Sequence, residues 1–210
     1  MHTHELKTTI GNYKRKFRYV GAVGKRNDPA ILSNSLNVTS NEVERLIQLC
    51  NELLHLTREM DIHCEEPTDL NLVVDEVITN FKEVHPEFEF IIKITVTSKI
   101  WMRIEHLKQL LIILIDNAIK YSREEEKKIE LLYVDQKLMV KDHGIGIEAD
   151  KLDYIFNRFY RADESRAQNN NNFGLGLAIA KRICSYYDYA ITVESIVDQY
   201  TIFTIDFERR

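Results

Sequence analysis

The chain has no surplus of basic charge: 28 Lys and Arg stand against 33 Asp and Glu, for a formal net charge of −5. No basic block runs through it, so a nucleic-acid backbone is not an expected partner. No apolar run reaches the roughly 20 residues that a membrane span needs, and no signal peptide opens the sequence. Cysteines number only three, Cys50, Cys64 and Cys184. An odd, widely spaced set fits reduced thiols in a cytosol better than a disulfide frame. His63-Cys64, with His2 and His4 elsewhere, matches no zinc spacing. The familiar nucleotide signatures are missing too. Gly21-Ala22-Val23-Gly24-Lys25 resembles the end of a Walker A loop, but lacks the upstream glycine spacing and the following Ser or Thr. With 44% hydrophobic and 29% charged residues in a chain of 210, one large or two modest globular domains are expected.

The organising stretch is residues 107–122, preceded by His106, which contains neither Gly nor Pro and is mostly apolar. Four turns of core helix are expected there. Into it the sequence sets Asp116, Asn117, Lys120 and Tyr121. Asn117, Lys120 and Tyr121 stand at i, i+3 and i+4 and share a face. A carboxamide among apolar turns costs free energy unless something satisfies it, so a polar ligand is one reading. A helix whose polar side simply meets water is the other.

Toward the N-terminus, Leu6, Ile10, Tyr13, Phe17 and Val20 step by 4, 3, 4, 3, the seam of a bundled helix. Residues 25–37 read as a connecting loop around Asp28-Pro29. Thr39-Ser40-Asn41-Glu42 has the form of a capping box, and behind it Val43, Leu46, Cys50, Leu53, Thr57 and Met60 form a second seam. Two helices bury two narrow seams poorly whereas four bury them well, so a dimeric four-helix bundle is expected. The alternative is a hairpin folded onto its own second domain. His4 lies about 200° round the helix from Leu6 and points away from the seam.

The polar break at residues 65–69 divides the chain into a helical hairpin, 1–64, and a second domain, 65–210. In that domain helix is expected at 70–84 and strand at 88–97 and 100–104. Hairpins are expected at 129–141, turning on Asp135-Gln136, and at 190–208. The fold class is α+β: the helical hairpin, then an α/β sandwich with one mixed sheet and helices on one face. Asp142 falls just beyond a strand and is followed by Gly144 and Gly146. The glycines would allow positive φ and close approach to a flat ligand, while Asp142 would accept a hydrogen bond. Gly174-Leu175-Gly176-Leu177 opens a helix, where free N–H groups and the helix dipole suit a phosphate chain. Alone, the first motif could be a hairpin turn and the second a close-packed helix start. Between them an aromatic cluster, Phe156, Phe159 and Tyr160, precedes the polar run 168–172, which has the composition of a mobile lid.

Taken in order, these segments resemble a sensor histidine kinase core with a Bergerat-type ATP-binding domain of the kind shared with gyrase and the Hsp90 chaperone. His4-Glu5-Leu6-Lys7-Thr8 resembles the H-box, residues 116–121 the N-box, 142–146 the G1 box, 155–161 the F-box and 174–177 the G2 box. The resemblance implies ATP-dependent phosphorylation of His4, with Glu5 as its base and Thr8 positioning water for dephosphorylation of a partner. It implies Asn117 as the Mg²⁺ ligand on ATP, Lys120 as a phosphate contact and Tyr121 beside the nucleotide. Asp142 would receive the adenine amino group, and Gly144, Gly146, Gly174, Leu175, Gly176 and Leu177 would shape the pocket. Arg161 is placed to reach a phosphate. A response-regulator receiver domain would accept the phosphoryl group, and the chain would be the cytoplasmic portion of an inner or plasma membrane sensor, itself making no membrane contact. Three positions depart from the pattern. Thr9 stands where proline is usual, Ile113 where a second asparagine is common, and Asn171-Asn172 where glycines usually precede the G2 box. A degenerate kinase serving as a dimeric scaffold, or another ATPase of the same fold, are the competing readings.

Overall fold

The structure, a computed structural model, describes residues 67–94, 99–162 and 173–208, together with Asn37, Ser40, Val43, Ile47 and Cys50. The chain divides into two units, 1–54 and 55–210. In the first, the five described residues are helical and exposed. Asn37 is helical, so the loop expected to reach it ends earlier; Thr39 and Glu42 of the T-x-x-E box lie outside the described residues. The H-box with His4, Glu5 and Thr8, the first seam, Thr9, His63, Cys64 and the segment 163–172 lie outside the described residues.

The second unit carries β1 (Thr68–Asp69), α1 (Leu70–Val84), β2 (Glu89–Ile94), β3 (Lys99–Ile100), α2 (Ile104–Tyr121), β4 (Lys128–Val134), β5 (Lys137–Asp142), α3 (Gly176–Tyr186), β6 (Ala190–Ile196) and β7 (Tyr200–Asp206). Helix α1 starts where its cap dictates: Asp69 Oδ1 accepts from the N–H groups of Asn71 at 3.0 Å and Leu72 at 3.4 Å. The strand expected over 100–104 shrinks to two residues, Lys99–Ile100, because its partner among the described residues, β1, is itself two residues long. Helix α2 then claims the chain from Ile104.

Five strands form one sheet in the order β2-β4-β5-β7-β6. Only the β2–β4 pair is parallel. The β4–β5 hairpin turns on Asp135 and Gln136, with φ of 50° and 60°, the two left-handed residues that a tight two-residue turn requires. Strict alternation on β4, β5 and β7 sends Ile129, Leu131, Leu138, Val140, Phe203 and Ile205 to one face, where each is at most 4% exposed. The three helices cover that face. Helix α2 runs between α1 and α3 and lies on β4 and β5, with α1 on β2 and α3 on β6. Leu107, Leu110, Leu111, Leu114 and Ile115 of α2 are fully buried. Each such side chain stabilises the fold by roughly 1.5–3 kcal/mol, which makes α2 the rigid spine against which the site is built. The opposite face of the sheet carries Lys93, Glu130, Lys141 and Glu194 and meets solvent.

Candidate functional site

The inward row of the sheet ends in polar residues. Asp142 closes β5, with Ile129 opposite it on β4 and Thr201 opposite it on β7. Asp142 is 3% exposed and Thr201 4%. The C-terminal half of α2 brings Asn117 and Tyr121 to the same place, and the start of α3 brings Gly174, Gly176 and Leu177. Together with Gly146, Arg161, Ile145, Ile147, Ile155, Tyr160, Ala162 and Phe203, these residues line one pocket of about 780 Å³ counting its open mouth.

The backbone geometry behind Asp142 accounts for the two glycines in different ways. Gly146 has φ of 68° and a Cβ there would lie 2.3 Å from the carbonyl oxygen of Ile196. Gly144 is not in the left-handed region; it is required because its Cα is pressed against Tyr121, as a Cβ would stand 2.1 Å from the Tyr121 carbonyl oxygen. The sequence-based expectation of positive φ at both therefore holds for Gly146 alone. The same division recurs at the second pair, where Gly174 has φ of 70°. A Cβ on Gly176 would meet only Ile113 Cγ2, at an ordinary 3.5 Å.

Burial dominates the electrostatics of the floor. It pushes the Asp142 carboxyl up to about 6, against the opposing pull of the backbone N–H groups of Gly144 and Thr201. The Gly144 N–H donates to Asp142 Oδ1 at 2.9 Å. Near neutral pH the carboxyl is largely ionised and presents acceptors only. The rest of the lining divides by chemistry. Ile145, Ile147, Ile155 and Phe203 offer apolar walls for a flat ring, while Asn117, Arg161 and the α3 N-terminus offer donors and positive potential for an anion.

Of the residues expected to bind a cofactor, Asn117, Tyr121, Asp142, Gly146, Arg161, Gly174, Gly176 and Leu177 converge on the pocket. Three do not line it. Lys120 pairs with Asp116 one turn earlier. Gly144 lies behind the floor, and Leu175 is fully buried as the residue preceding α3. Thr201, Phe203, Ile147 and Ala162 were not legible as lining, because their place depends on which strands pair. Ile113 is half-buried on α2 and faces the start of α3 rather than the pocket. Ile113→Asn is therefore expected to cost about 1–3 kcal/mol of stability by partly burying an amide. Mg-ADP affinity should stay within about twofold of the parent, since no lining group changes. A thermal melt beside a calorimetric titration checks this, and tightened binding would show that position 113 does reach the ligand.

These groups fit an adenine nucleotide: a buried acceptor for an amino group, apolar walls for a ring, and donors for phosphates. A divalent ion fits only as one carried by those phosphates. The pocket offers it one carboxamide oxygen, on Asn117, and among the described residues no group of three His, Cys, Asp or Glu could hold a metal.

Residues 102–210 match the family described as histidine kinase-, DNA gyrase B-, and HSP90-like ATPase. The chain belongs to this family. The ATPase match begins just before α2 and includes every residue of the pocket. Beyond it, the chain is 37% identical over 214 aligned residues to the signal transduction histidine-protein kinase ArlS of Staphylococcus epidermidis, covering 98% of this chain and 46% of that kinase. It thus spans about half the length of the curated relatives it matches. Among solved structures it is similar to the Acinetobacter baumannii histidine kinase AdeS, at 25% identity and a TM-score of 0.64, covering 98% of both chains. It is also similar to a mycobacterial sensor histidine kinase, MprB, at 25% identity and a TM-score of 0.60, covering 67% of this chain and 95% of that one.

Proposed function

We propose that this chain is the catalytic core of a sensor histidine kinase, which phosphorylates His4 from ATP and passes the phosphoryl group to an aspartate of a response-regulator receiver domain. The observation that carries the reading is the pocket floored by Asp142 in a chain that aligns over 98% of its length with a histidine-protein kinase.

Asp142 accepts the adenine amino group, with Thr201 beside it, and the isoleucine walls and Phe203 hold the ring and exclude water. Asn117 holds Mg²⁺, which when bound offsets the charge of the phosphates. Arg161 and the N–H groups at the start of α3 bind the phosphate oxygens. Lys120, held by Asp116, contributes positive potential from one turn away rather than a direct contact. The neutral His4 imidazole attacks the γ-phosphorus, the bond to the ADP oxygen breaks, and Glu5 takes the ring proton.

The hairpin, assigned to residues 1–64, pairs with a second copy as a four-helix bundle. The exposure of Val43 at 40% and of Ile47 at 56% supports a missing partner for that helix. The whole protein would be a membrane sensor of which this is the cytoplasmic portion. Among the described residues no helix is long and apolar enough to cross a membrane.

Two measurements test the proposal. Calorimetric titration of the chain with ADP should show binding that strengthens with Mg²⁺, and Asn117→Ala should remove that Mg²⁺ dependence; a chain that binds no nucleotide would overturn the reading. Thr8→Ala should keep autophosphorylation while slowing dephosphorylation of the regulator by about tenfold or more, in the range of a positioned proton-transfer group. Equal loss of both activities would make Thr8 structural.

A further inference from the structure

Ser195 lies outside the pocket, yet its hydroxyl ties together two segments that form it, the loop after β5 and the start of β7. Ser195 Oγ accepts the Ile147 N–H at 2.9 Å, donates to the Tyr200 carbonyl oxygen at 2.9 Å, and lies 3.0 Å from Thr201 Oγ1. A serine hydroxyl has one proton and two lone pairs. The carbonyl can only accept, so it takes that proton. The Ile147 N–H occupies one lone pair, and the other is met by the Thr201 hydroxyl proton. The Thr201 hydroxyl therefore points its hydrogen at Ser195 and shows the pocket its lone pairs.

Ser195, Thr201 and Asp142 form one row across three strands, each opposite the next. Resting on the reading of this pocket as a nucleotide site, we infer that Ser195 is a positioning residue for base selection: it holds the Thr201 hydroxyl as an acceptor, so that the floor offers acceptors alone. A purine with an amino group at C6 satisfies such a floor, directly or through a water that donates to it. A carbonyl at C6 sets acceptor against acceptor at that position and leaves the buried group facing it unpaired, the arrangement that discriminates most strongly between close analogues. Without Ser195 the Thr201 hydroxyl can rotate and donate, and a 6-oxo purine becomes tolerable.

The test is calorimetric titration of the full chain with ADP and with IDP, each with Mg²⁺, beside a thermal melt. The parent should prefer ADP. Ser195→Ala should reduce the ratio of the two affinities by about 2- to 12-fold, the worth of one hydrogen bond, with IDP binding unchanged or tighter. Ser195→Thr, which keeps the hydroxyl, should restore the ratio. A ratio unchanged in Ser195→Ala, whether both affinities hold or both fall alike with a lowered melting temperature, would overturn the inference and leave Ser195 a packing residue. If Ser195→Ala does not fold, Ser195→Cys, a weak donor and acceptor of similar size, replaces it under the same criterion. A parent chain that binds neither nucleotide would overturn the nucleotide reading itself, an outcome distinct from a parent that binds ADP with the ratio unmoved.

Discussion

Gly144→Ala should abolish measurable nucleotide binding and destabilise the second unit by about 3 kcal/mol. The added Cβ would stand 2.1 Å from the Tyr121 carbonyl oxygen, 2.8 Å from its carbonyl carbon and 2.7 Å from Asp142 Oδ1. Two of these three atoms are backbone at the end of α2, the most rigid element of the fold, and cannot rotate away. The same carbonyl accepts the Ile145 N–H at 3.1 Å, and Ser122 pairs with Gly144 as an isolated bridge. Relief therefore means separating α2 from the segment that follows β5, which carries off both the Gly144 N–H bond to Asp142 and the pocket wall. For a unit of this size, a loss of about 3 kcal/mol lowers the melting temperature by roughly 6–12 °C. Gly176→Ala is the matched control: its Cβ meets only Ile113 Cγ2 at 3.5 Å, so it should melt within a degree or two of the parent. A Gly144→Ala variant that melts and binds like the parent would show that the contact at Tyr121 is not tight.

Asp142→Asn should move stability and binding in opposite directions. Burial pushes the Asp142 carboxyl from its ordinary 3.8 to about 6. A folded value above the unfolded one means that the native state favours the proton. The stabilisation from this group is full below pH 3.8 and is lost as pH rises through about 6. At pH 7 the ionised carboxylate then costs up to about 3 kcal/mol relative to the protonated form. A neutral amide of the same shape escapes much of that cost, so the variant should gain stability over the parent between pH 4.5 and pH 7.5. Binding should suffer, because the amide NH₂ presents donors where the ligand amino group needs an acceptor. Loss of one hydrogen bond to a charged group, about 1.5–3 kcal/mol, weakens affinity by roughly 12- to 160-fold. The parent's affinity should also fall by about tenfold per pH unit below pH 6, and the variant should lack that dependence. Melts and titrations at three pH values check both signs. A variant less stable than the parent at pH 7.5 would show that the carboxylate is a structural anchor instead.

What could be read before the fold was known follows a physical line. Local signals held: helix α1 follows the polar break at 65–69, the apolar period of α2 marked the spine, and Asp135-Gln136 fell at the turn of its hairpin. Asp142, expected just beyond the strand, is instead its last residue, and alternation along β5 turns it to the inner face. Pairing between distant strands was not legible, because a strand's own residues do not name its neighbour. That is why Thr201 and Ser195, which meet Asp142 only through the β5–β7–β6 order, escaped notice. Helical spacing put Lys120 on the Asn117 face without showing what its ammonium group meets. Sharing a face with Asn117 puts it near the pocket, but a carboxylate at i−4, Asp116, captures its ammonium group. The requirement for glycine was visible at Gly144, whereas its cause, a helix carbonyl against the Cα, needed the tertiary contact.

The most direct measurement is to incubate the chain with Mg-ATP labelled at the γ-phosphate and examine the label on the protein. The kinase reading predicts an acid-labile, alkali-stable label, as a phosphoramidate gives, lost completely in His4→Gln while calorimetry shows ADP bound as in the parent. Label retained on His4→Gln, or none on a parent chain that binds Mg-ATP, would contradict it.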